Sequence, residues 1–412
     1  MVEEFDIKKE NELMSFIQMH YGAEVFTPGL LRTRALFRPF IERALQTKTK
    51  VTIIAGTNGK GQTAHTLGFF LQQVGQSYAL WTSPHILSIR ERFSFNGEDV
   101  SYEELKNEIF AAHLDLKNDP TLVISFYEFL FFVFLRLAFK RPLEHLLLEV
   151  GLGGRLDAVN HFDADLACIT SISRDHQGIL GNRYDLILSE KIAVSRNGKV
   201  LLTQFQINYL NEQTERYCKE HEVLWKPLPK MSGKTYFEEN QAMAFALFNE
   251  LLPGRSPKNR EAIPEFKGRR EVMTFKGNTL IFIGAHNTDG VRSMTELFKS
   301  DSCPSQFSPW PDHLLMSFSK RPADEIEVMI KTLVEHFGNK SKLHITSFDH
   351  PKAMDEIALH NVEKHINKIS KGLLDFVTDW KTYLIDSQNQ TILVCGSYYF
   401  VGEIQRFILT LS

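Results

Sequence analysis

The sequence predicts an α/β protein: a mostly parallel sheet in a large N-terminal domain, followed by a smaller, doubly wound α/β domain. Three observations carry this. Short apolar runs alternate with helical patterns along the whole chain. The run VTIIA ending at Ala55 passes directly into a glycine-rich turn and then into a helical pattern. A stretch rich in proline, glycine and charge, from Pro253 to Lys267, separates two alternating sets.

Taken in order, residues 51–55, 78–81, 145–150, 166–170 and 199–203 are short and nearly all apolar, the pattern of strands covered on both faces. Helical spacing fills residues 60–74, 102–114, 126–139, 184–194, 208–221 and 238–251. After the break, strands are expected at 280–283, 314–318, 343–347 and 391–394, with helices between them. The domains are drawn as residues 1–262 and 267–412. In such sheets ligands sit at the carboxyl ends of the strands, where the candidate motifs fall.

The 412 residues are enough for two or three domains, and 43% hydrophobic with 24% charged content is that of a soluble globular chain. A net charge of −3 gives no bulk electrostatic case for nucleic acid or an anionic membrane. The start, MVEEFDIKKE, has no apolar core and does not read as a secretory signal. The greasiest stretch, Phe126 to Phe139, is short and includes Glu128 and Arg136, so a buried helix is expected and not a membrane span. Four scattered cysteines with no CxxC pair suit reduced thiols, and a cytoplasmic location is expected.

The turn Gly56-Thr57-Asn58-Gly59-Lys60-Gly61 is the strongest chemical signal. A strand ending in such a turn and opening a helix can wrap backbone N–H groups around a polyphosphate, with Lys60 as a point charge. Compared with the usual GxxxxGK[ST] loop, Ile54 replaces the first glycine and Gly61 the hydroxyl residue after the lysine. A magnesium ion therefore needs its protein oxygen elsewhere, on Thr63 or on a second loop. Ser83, in WTSPH, lies just past a strand and can offer such an oxygen. Glu149 ends an apolar strand and is followed by Gly151, Gly153 and Gly154; a carboxylate there needs a cation, either a metal or a structural ion pair. His176, in SRDHQG, follows the next strand and reads alone as a loop hydrogen-bonder. Lys191 shares a helical face with Leu188 and Val194, and reads alone as a lysine at the edge of a core. In the second domain, Gly268-Arg269-Arg270 offers guanidinium forks suited to phosphate, and Ile283-Gly284-Ala285-His286-Asn287 joins a strand to a helix. Linker and capping chemistry explains both equally well.

In order, AGTNGKG, TSPH with a following RERF, LLEVGLGGRLDAVN, ITSISRDHQGILG, SEKIAV and GAHN resemble the folylpolyglutamate synthase/dihydrofolate synthase family, within the Mur-type ATP-dependent amide ligases. The resemblance spans both domains and implies a Mur-ligase-like P-loop ATPase domain followed by a glutamate ligase domain. It implies that Gly56, Thr57, Asn58, Gly59, Lys60 and Gly61 bind the ATP phosphates, with Gln62 beside them where serine or threonine is typical. Asn240, Arg269 and His286 match further nucleotide contacts. Ser83, Glu149 and His176 match magnesium ligands, with two ions expected, and Lys191 matches a lysine that is carbamylated. Lys60, Lys191, His176 and Arg269 would carry the catalysis. Ser125, Tyr127, Gly154, Arg155 and Asp157 match the pterin-binding side.

The implied reaction is ATP-dependent addition of L-glutamate to dihydropteroate, to a reduced folate, or to both, through an acyl phosphate. A monomer acting on small molecules in folate biosynthesis is implied. Departures sit mostly in the second domain: Ile283 replaces an aspartate, and Thr288 a proline. Ser125 and Tyr127 replace threonine and phenylalanine. A monofunctional synthase and an inactive nucleotide-binding regulatory or scaffold homologue are the alternatives.

Overall fold

The computed structural model describes residues 6–25, 27, 29–117, 122–175, 177–205, 207–229, 234–260, 263–264, 266, 268–298, 310–370 and 372–411. They form two compact units, Met1–Ile263 and Pro264–Ser412.

In the first unit the strands are β1 (Lys50–Ala55), β2 (Tyr78–Trp81), β3 (Phe93–Phe95), β4 (Glu98–Asp99), β5 (His145–Glu149), β6 (Leu166–Ile169), β7 (Val200–Thr203) and β8 (Leu224–Pro227). The helices are α1 (Ile7–Tyr21), α2 (Leu30–Thr47), α3 (Lys60–Gln73), α4 (Tyr102–Lys117), α5 (Phe126–Ala138), α6 (Gln177–Leu180), α7 (Tyr184–Ile192), α8 (Asn208–Glu220) and α9 (Tyr236–Leu251). The sheet order is β4-β3-β2-β5-β1-β6-β7-β8. Pairing is parallel from β2 to β8, while β3 and β4 add an antiparallel edge.

The apolar runs form strands because both faces of the sheet are covered. Val51, Ile53 and Ala55 of β1 pack into one core with Leu146 and Leu148 of β5 and Trp81 of β2. Ile54, Leu147 and Leu80, one residue out of phase, enter a second core with Leu67 of α3 and Met243, Leu247 and Phe248 of α9. The first core is dominated by α5. Ser125 caps it, accepting from the Glu128 N–H while the Glu128 carboxylate accepts from the Ser125 N–H, a reciprocal box that fixes where the helix starts. Phe126, Phe129, Phe131 and Phe134 of α5 are fully buried, and the rings of Phe131 and Phe134 both lie 5.5 Å from Trp81. Among the described residues no helix is long and apolar enough to cross a membrane.

The central geometry follows from this packing. β2, β5, β1 and β6 are adjacent and parallel, so their carboxyl ends open on one edge, with Ile54 beside Glu149 and Ala55 beside Ile169. The loops that follow must meet there. Elements without an apolar run lie outside the sequence expectation: α1, α2, the β3–β4 edge, and β8, whose LWKP is largely exposed and ends in proline.

The second unit contains β9 (Arg269–Phe275), β10 (Asn278–Ile283), β11 (His313–Met316), β12 (Lys342–Thr346), β13 (Leu374–Val377) and β14 (Thr391–Cys395). Its helices are α10 (Thr288–Leu297), α11 (Ala323–Phe337), α12 (Glu356–Ser370), α13 (Trp380–Asp386) and α14 (Tyr398–Leu411). The order is β13-β12-β11-β14-β10-β9, parallel except for β9. The sequence reading starts this sheet at Leu280 and so misses β9. Its RREVMTF mixes charged and apolar residues, and it turns into β10 through Lys276 and Gly277, both at positive φ.

Phe134 supports the face of β2 that leads to Ser83. Phe134→Ala is expected to lower the unfolding free energy of the first unit by about 3–5 kcal/mol in urea titration; a loss below about 1 kcal/mol would show that this face does not depend on the aromatic layer.

Candidate active site

The glycine-rich turn is built into its neighbours. Gly56 (φ 146°) leaves no room for a side chain: a Cβ there would lie 2.0 Å from Thr170 Oγ1. Gly59 (φ 87°) is equally closed, a Cβ falling 2.3 Å from Asn240 Oδ1. The segment after β6 braces the turn. The Thr57 N–H donates to Ser171 O (2.9 Å), the Asn58 N–H to Ser171 Oγ (2.9 Å), and the Thr170 hydroxyl to Asn58 O (2.6 Å). Thr57 Oγ1 also donates to Ser173 O and accepts from the Ser173 N–H, both at 3.1 Å. Lys60 donates from Nζ to Thr57 O (3.1 Å), so its ammonium lies over the turn. The arrangement offers a half-buried loop, one cation and the N-terminus of α3, which together suit a polyphosphate. Thr170, Ser171 and Ser173 lie in the ITSISRDHQGILG segment, but the sequence alone assigns them no role of their own.

Two of the three expected metal ligands meet. The Ser83 N–H donates to Glu149 Oε2 (3.1 Å), and Ser83 and Glu149 are 7% and 2% exposed. Glu149 ends β5, next to the strand β1 that leads into the glycine-rich turn, and Ser83 follows β2, one strand further out. The contact runs through the Ser83 backbone N–H; the serine hydroxyl and the glutamate carboxylate are both hard oxygen donors of the kind a magnesium ion takes. His176 lies outside the described residues; its neighbour Asp175 is buried. Among the described residues no group of three or more His, Cys, Asp and Glu side chains could hold a metal. Of the expected set only Glu149 is both a described residue and one of those types, since Ser83 is neither acid, His nor Cys and His176 lies outside the described residues.

Lys191 is not at the edge of the core, as its residues alone suggested, but inside it, 3% exposed. Burial first, and the Lys60 charge second, lower its amine to about 7, against the pull of Asp175, Asp157 and Glu190. A substantial part of it is therefore neutral at physiological pH. The GLGGRLD segment is stitched to the helix that carries it. The Arg155 N–H donates to Glu190 O (2.7 Å), and a Cβ on Gly154 would strike that same oxygen at 2.6 Å. The Arg155 guanidinium, half exposed, donates to Glu190 Oε1 at 2.8 and 3.0 Å.

Asp157 is buried and surrounded by donors. Its Oδ2 accepts from the Gly151 and Leu152 N–H groups, and its Oδ1 from the Val159 N–H and the Tyr127 hydroxyl, at 2.9–3.1 Å. Burial outweighs these donors and pushes its carboxyl up to about 6, still ionised at neutral pH. Tyr127 also accepts from Trp81 Nε1 (3.1 Å) and packs its ring on Gly151, where a Cβ would lie 2.8 Å away. Ser125 serves as the α5 cap.

Asn240, on α9, donates from Nδ2 to Gln62 Oε1 (2.7 Å), and Gln62 Nε2 donates to Phe237 O (3.3 Å). In the second unit, Arg269 opens β9 opposite Ile283; its side chain is outside the described residues. His286 follows β10, its Nδ1 3.0 Å from Gly284 O and its ring 4.8 Å from Tyr398. Asn287 caps α10 by accepting from the Gly290 N–H (2.8 Å). Ile283 is buried at the end of β10.

No family profile matches the chain. Among characterised relatives, the dihydrofolate synthase/folylpolyglutamate synthase of Buchnera aphidicola subsp. Baizongia pistaciae is 39% identical over 395 residues, 88% of each chain. The chain belongs to the dihydrofolate synthase/folylpolyglutamate synthase family. The Bacillus subtilis family protein is 24% identical over 92% of this chain and 94% of its own. The fold is that of solved members. A bifunctional synthase from Yersinia pestis, complexed with AMPPNP and Mn, gives a TM-score of 0.76 at 22% identity, covering 96% of this chain and 97% of its own. The folylpolyglutamate synthase of Mycobacterium tuberculosis, complexed with ADP and AMPPCP, gives 0.79 at 19% identity over 98% of both chains.

The burial of Lys191 fixes a pH dependence of stability. Its folded value, about 7, lies below the ordinary 10.5, so between those values the unfolded chain holds more protons and its contribution to stability rises with pH. In CO2-free buffer, Lys191→Met is expected to raise the melting temperature most at pH 7 and below, the gain shrinking toward pH 10. A gain independent of pH would mean that the lysine is charged in the folded state.

Proposed function

We propose that this protein is a bifunctional dihydrofolate synthase/folylpolyglutamate synthase, an ATP-dependent ligase that joins L-glutamate to dihydropteroate and to tetrahydrofolate. The observation that carries the proposal is the meeting of Ser83 and Glu149 on the sheet edge that also bears the Gly56–Gly61 loop and Lys60. Family membership supports it, as does a solved relative that holds Mn, AMPPNP and L-glutamate together.

The chemistry needs no protein nucleophile. A substrate carboxylate oxygen attacks the γ-phosphorus of ATP, the bond to the β–γ bridging oxygen breaks, and ADP leaves. The α-amine of glutamate then attacks the acyl phosphate carbon, the C–O bond to phosphate breaks, and the amine proton is lost as the amide forms. Loop N–H groups and Lys60 hold the phosphates in line and offset the charge on the transferring group. Ser83, Glu149 and His176 would hold magnesium, which when bound would help neutralise the charge of the transferring phosphoryl group. Gly154, Arg155, Asp157, Ser125 and Tyr127 form the pterin side of the site in this reading. In this reading Asn240 in the first unit, and Arg269 and His286 in the second, each match nucleotide contacts of the family.

Lys191 is the residue suited to carbamylation. A buried amine near pH 7 is in part neutral, and its nitrogen can attack CO2, losing a proton to give an anionic carbamate. The charge at that point then reverses, and Lys60 gains an anion in place of a competing cation. Intact-mass measurement under bicarbonate is expected to show one added CO2 in the wild type and none in Lys191→Met.

Purified protein should release ADP only when both glutamate and a pteroyl substrate are present. Glu149→Gln, which keeps an acceptor for the Ser83 N–H, is expected to lower kcat by about 100-fold or more with an unchanged circular dichroism spectrum. Full turnover in that variant, or ADP release indifferent to glutamate, would contradict the assignment.

A further inference from the structure

We infer that the cleft between the loop after β6 and the facing side of α8 holds the γ-linked glutamyl tail of a lengthened substrate, with Arg174 and Arg216 taking its α-carboxylates. This rests on the ligase reading above.

The cleft encloses about 710 Å3, within the range of small-ligand sites. Arg174 comes from the loop after β6, Arg183 and Tyr184 from the entry to α7, and Arg216 from α8. Lining positions 209, 212, 213 and 216 recur at helical spacing, so one face of α8 forms the wall. Gln213 ties that wall to α7, its Nε2 donating to Asp185 O (3.1 Å) and to Ser189 Oγ (3.2 Å). Three guanidinium groups against the carboxylates of Asp185 and Glu212 leave the cleft net positive. Arg183 is engaged by Asp185, to which its Nε donates at 3.0 Å. Among the described residues no ion pair engages Arg174 or Arg216. The Arg174 guanidinium lies instead over the ring of Tyr184, 5.5 Å from its centroid. An arginine placed by an aromatic ring keeps its N–H fork for a carboxylate.

The cleft opens beside the reacting groups. Ser173, one residue before Arg174, meets the Thr57 hydroxyl of the glycine-rich turn through both its N–H and its carbonyl. Asp175, one residue after it, is buried and bears on the charge of Lys191. In each further round the reacting γ-carboxylate has to return to the same turn, while every glutamate already added leaves one α-carboxylate behind it. Those anions repel a triphosphate unless cations stand next to them. Arg174 and Arg216 supply two. A phosphate group could use the same cations, so the test separates the two ligands. Both arginines are exposed, so each contact changes affinity only a few-fold and weakens with salt.

The test measures KM for dihydropteroate, for tetrahydrofolate with one glutamate and for tetrahydrofolate with four γ-linked glutamates. Wild type is compared with the double variant Arg174→Gln/Arg216→Gln. The double substitution is expected to raise KM for the four-glutamate substrate by about fivefold or more, and to change KM for dihydropteroate and for ATP by less than about twofold. An equal rise for all three pteroyl substrates, or no rise, would overturn the inference. A rise confined to ATP would make the cleft a phosphate site and overturn it as well. Calorimetric binding of free tetra-γ-L-glutamate to the full chain keeps these outcomes apart from failure of the ligase reading. Even a wild type without turnover is expected to bind the oligomer at least about threefold more tightly than the double variant does, and equal binding would refute the subsite.

Discussion

The clamp between the Gly56–Gly59 turn and the Thr170–Ser173 segment is the contact on which the site depends. A turn with two glycines at positive φ has little stiffness of its own, and glycine is the residue that loses most entropy on being fixed. Here the backbone groups of Thr57 and Asn58 are tied to Ser171 and Thr170, so the loop is rigid before any ligand arrives. That rigidity exists because β1 and β6 are parallel neighbours in register, Ala55 beside Ile169. The register in turn rests on apolar side chains packed against both faces of the sheet, into the α5 core and the α3–α9 core. Charge and chemistry at the edge are therefore positioned by packing well below it.

The same logic explains how buried polar groups are tolerated. Glu149, Asp157 and Lys191 sit where an ionised side chain is costly. Asp157 answers the cost with four donors, three of them backbone N–H groups, and closes the glycine-rich segment around itself. Lys191 answers it differently, by giving up part of its charge. Gly154 allows these two solutions to coexist, since only a residue without a Cβ lets the segment touch Glu190 O of the lysine helix. The neutral fraction of Lys191 is what makes it chemically open to CO2.

Much of this was legible in the sequence, for definite reasons. The central strands are continuous apolar runs because both faces are covered, and the candidate phosphate turn stands out through its cluster of glycines between a strand and a helix. Ser83 and Glu149 were recognisable because parallel strands deliver their following loops to one edge. The edge elements were less legible: β8 and β9 carry exposed or charged residues, and no period in the sequence marks them as strands. The burial of Lys191 was underestimated, because its contribution to helix spacing looks the same at the margin of a core as in its middle. The Thr170, Ser171 and Ser173 braces and the Gln62–Asn240 pair, 178 residues apart, were invisible for another reason: their roles exist only in the tertiary contact.

The central claim is that separate loops converge on a divalent ion beside a triphosphate held by Lys60. The most direct measurement is anomalous diffraction from crystals grown with Mn2+ and a non-hydrolysable ATP analogue. The account predicts a manganese peak within coordination distance of Ser83 Oγ and a Glu149 carboxylate oxygen, bridging to the γ-phosphate seated on the Gly56–Gly61 loop. A peak away from both side chains, or a triphosphate bound elsewhere than on that loop, would contradict it.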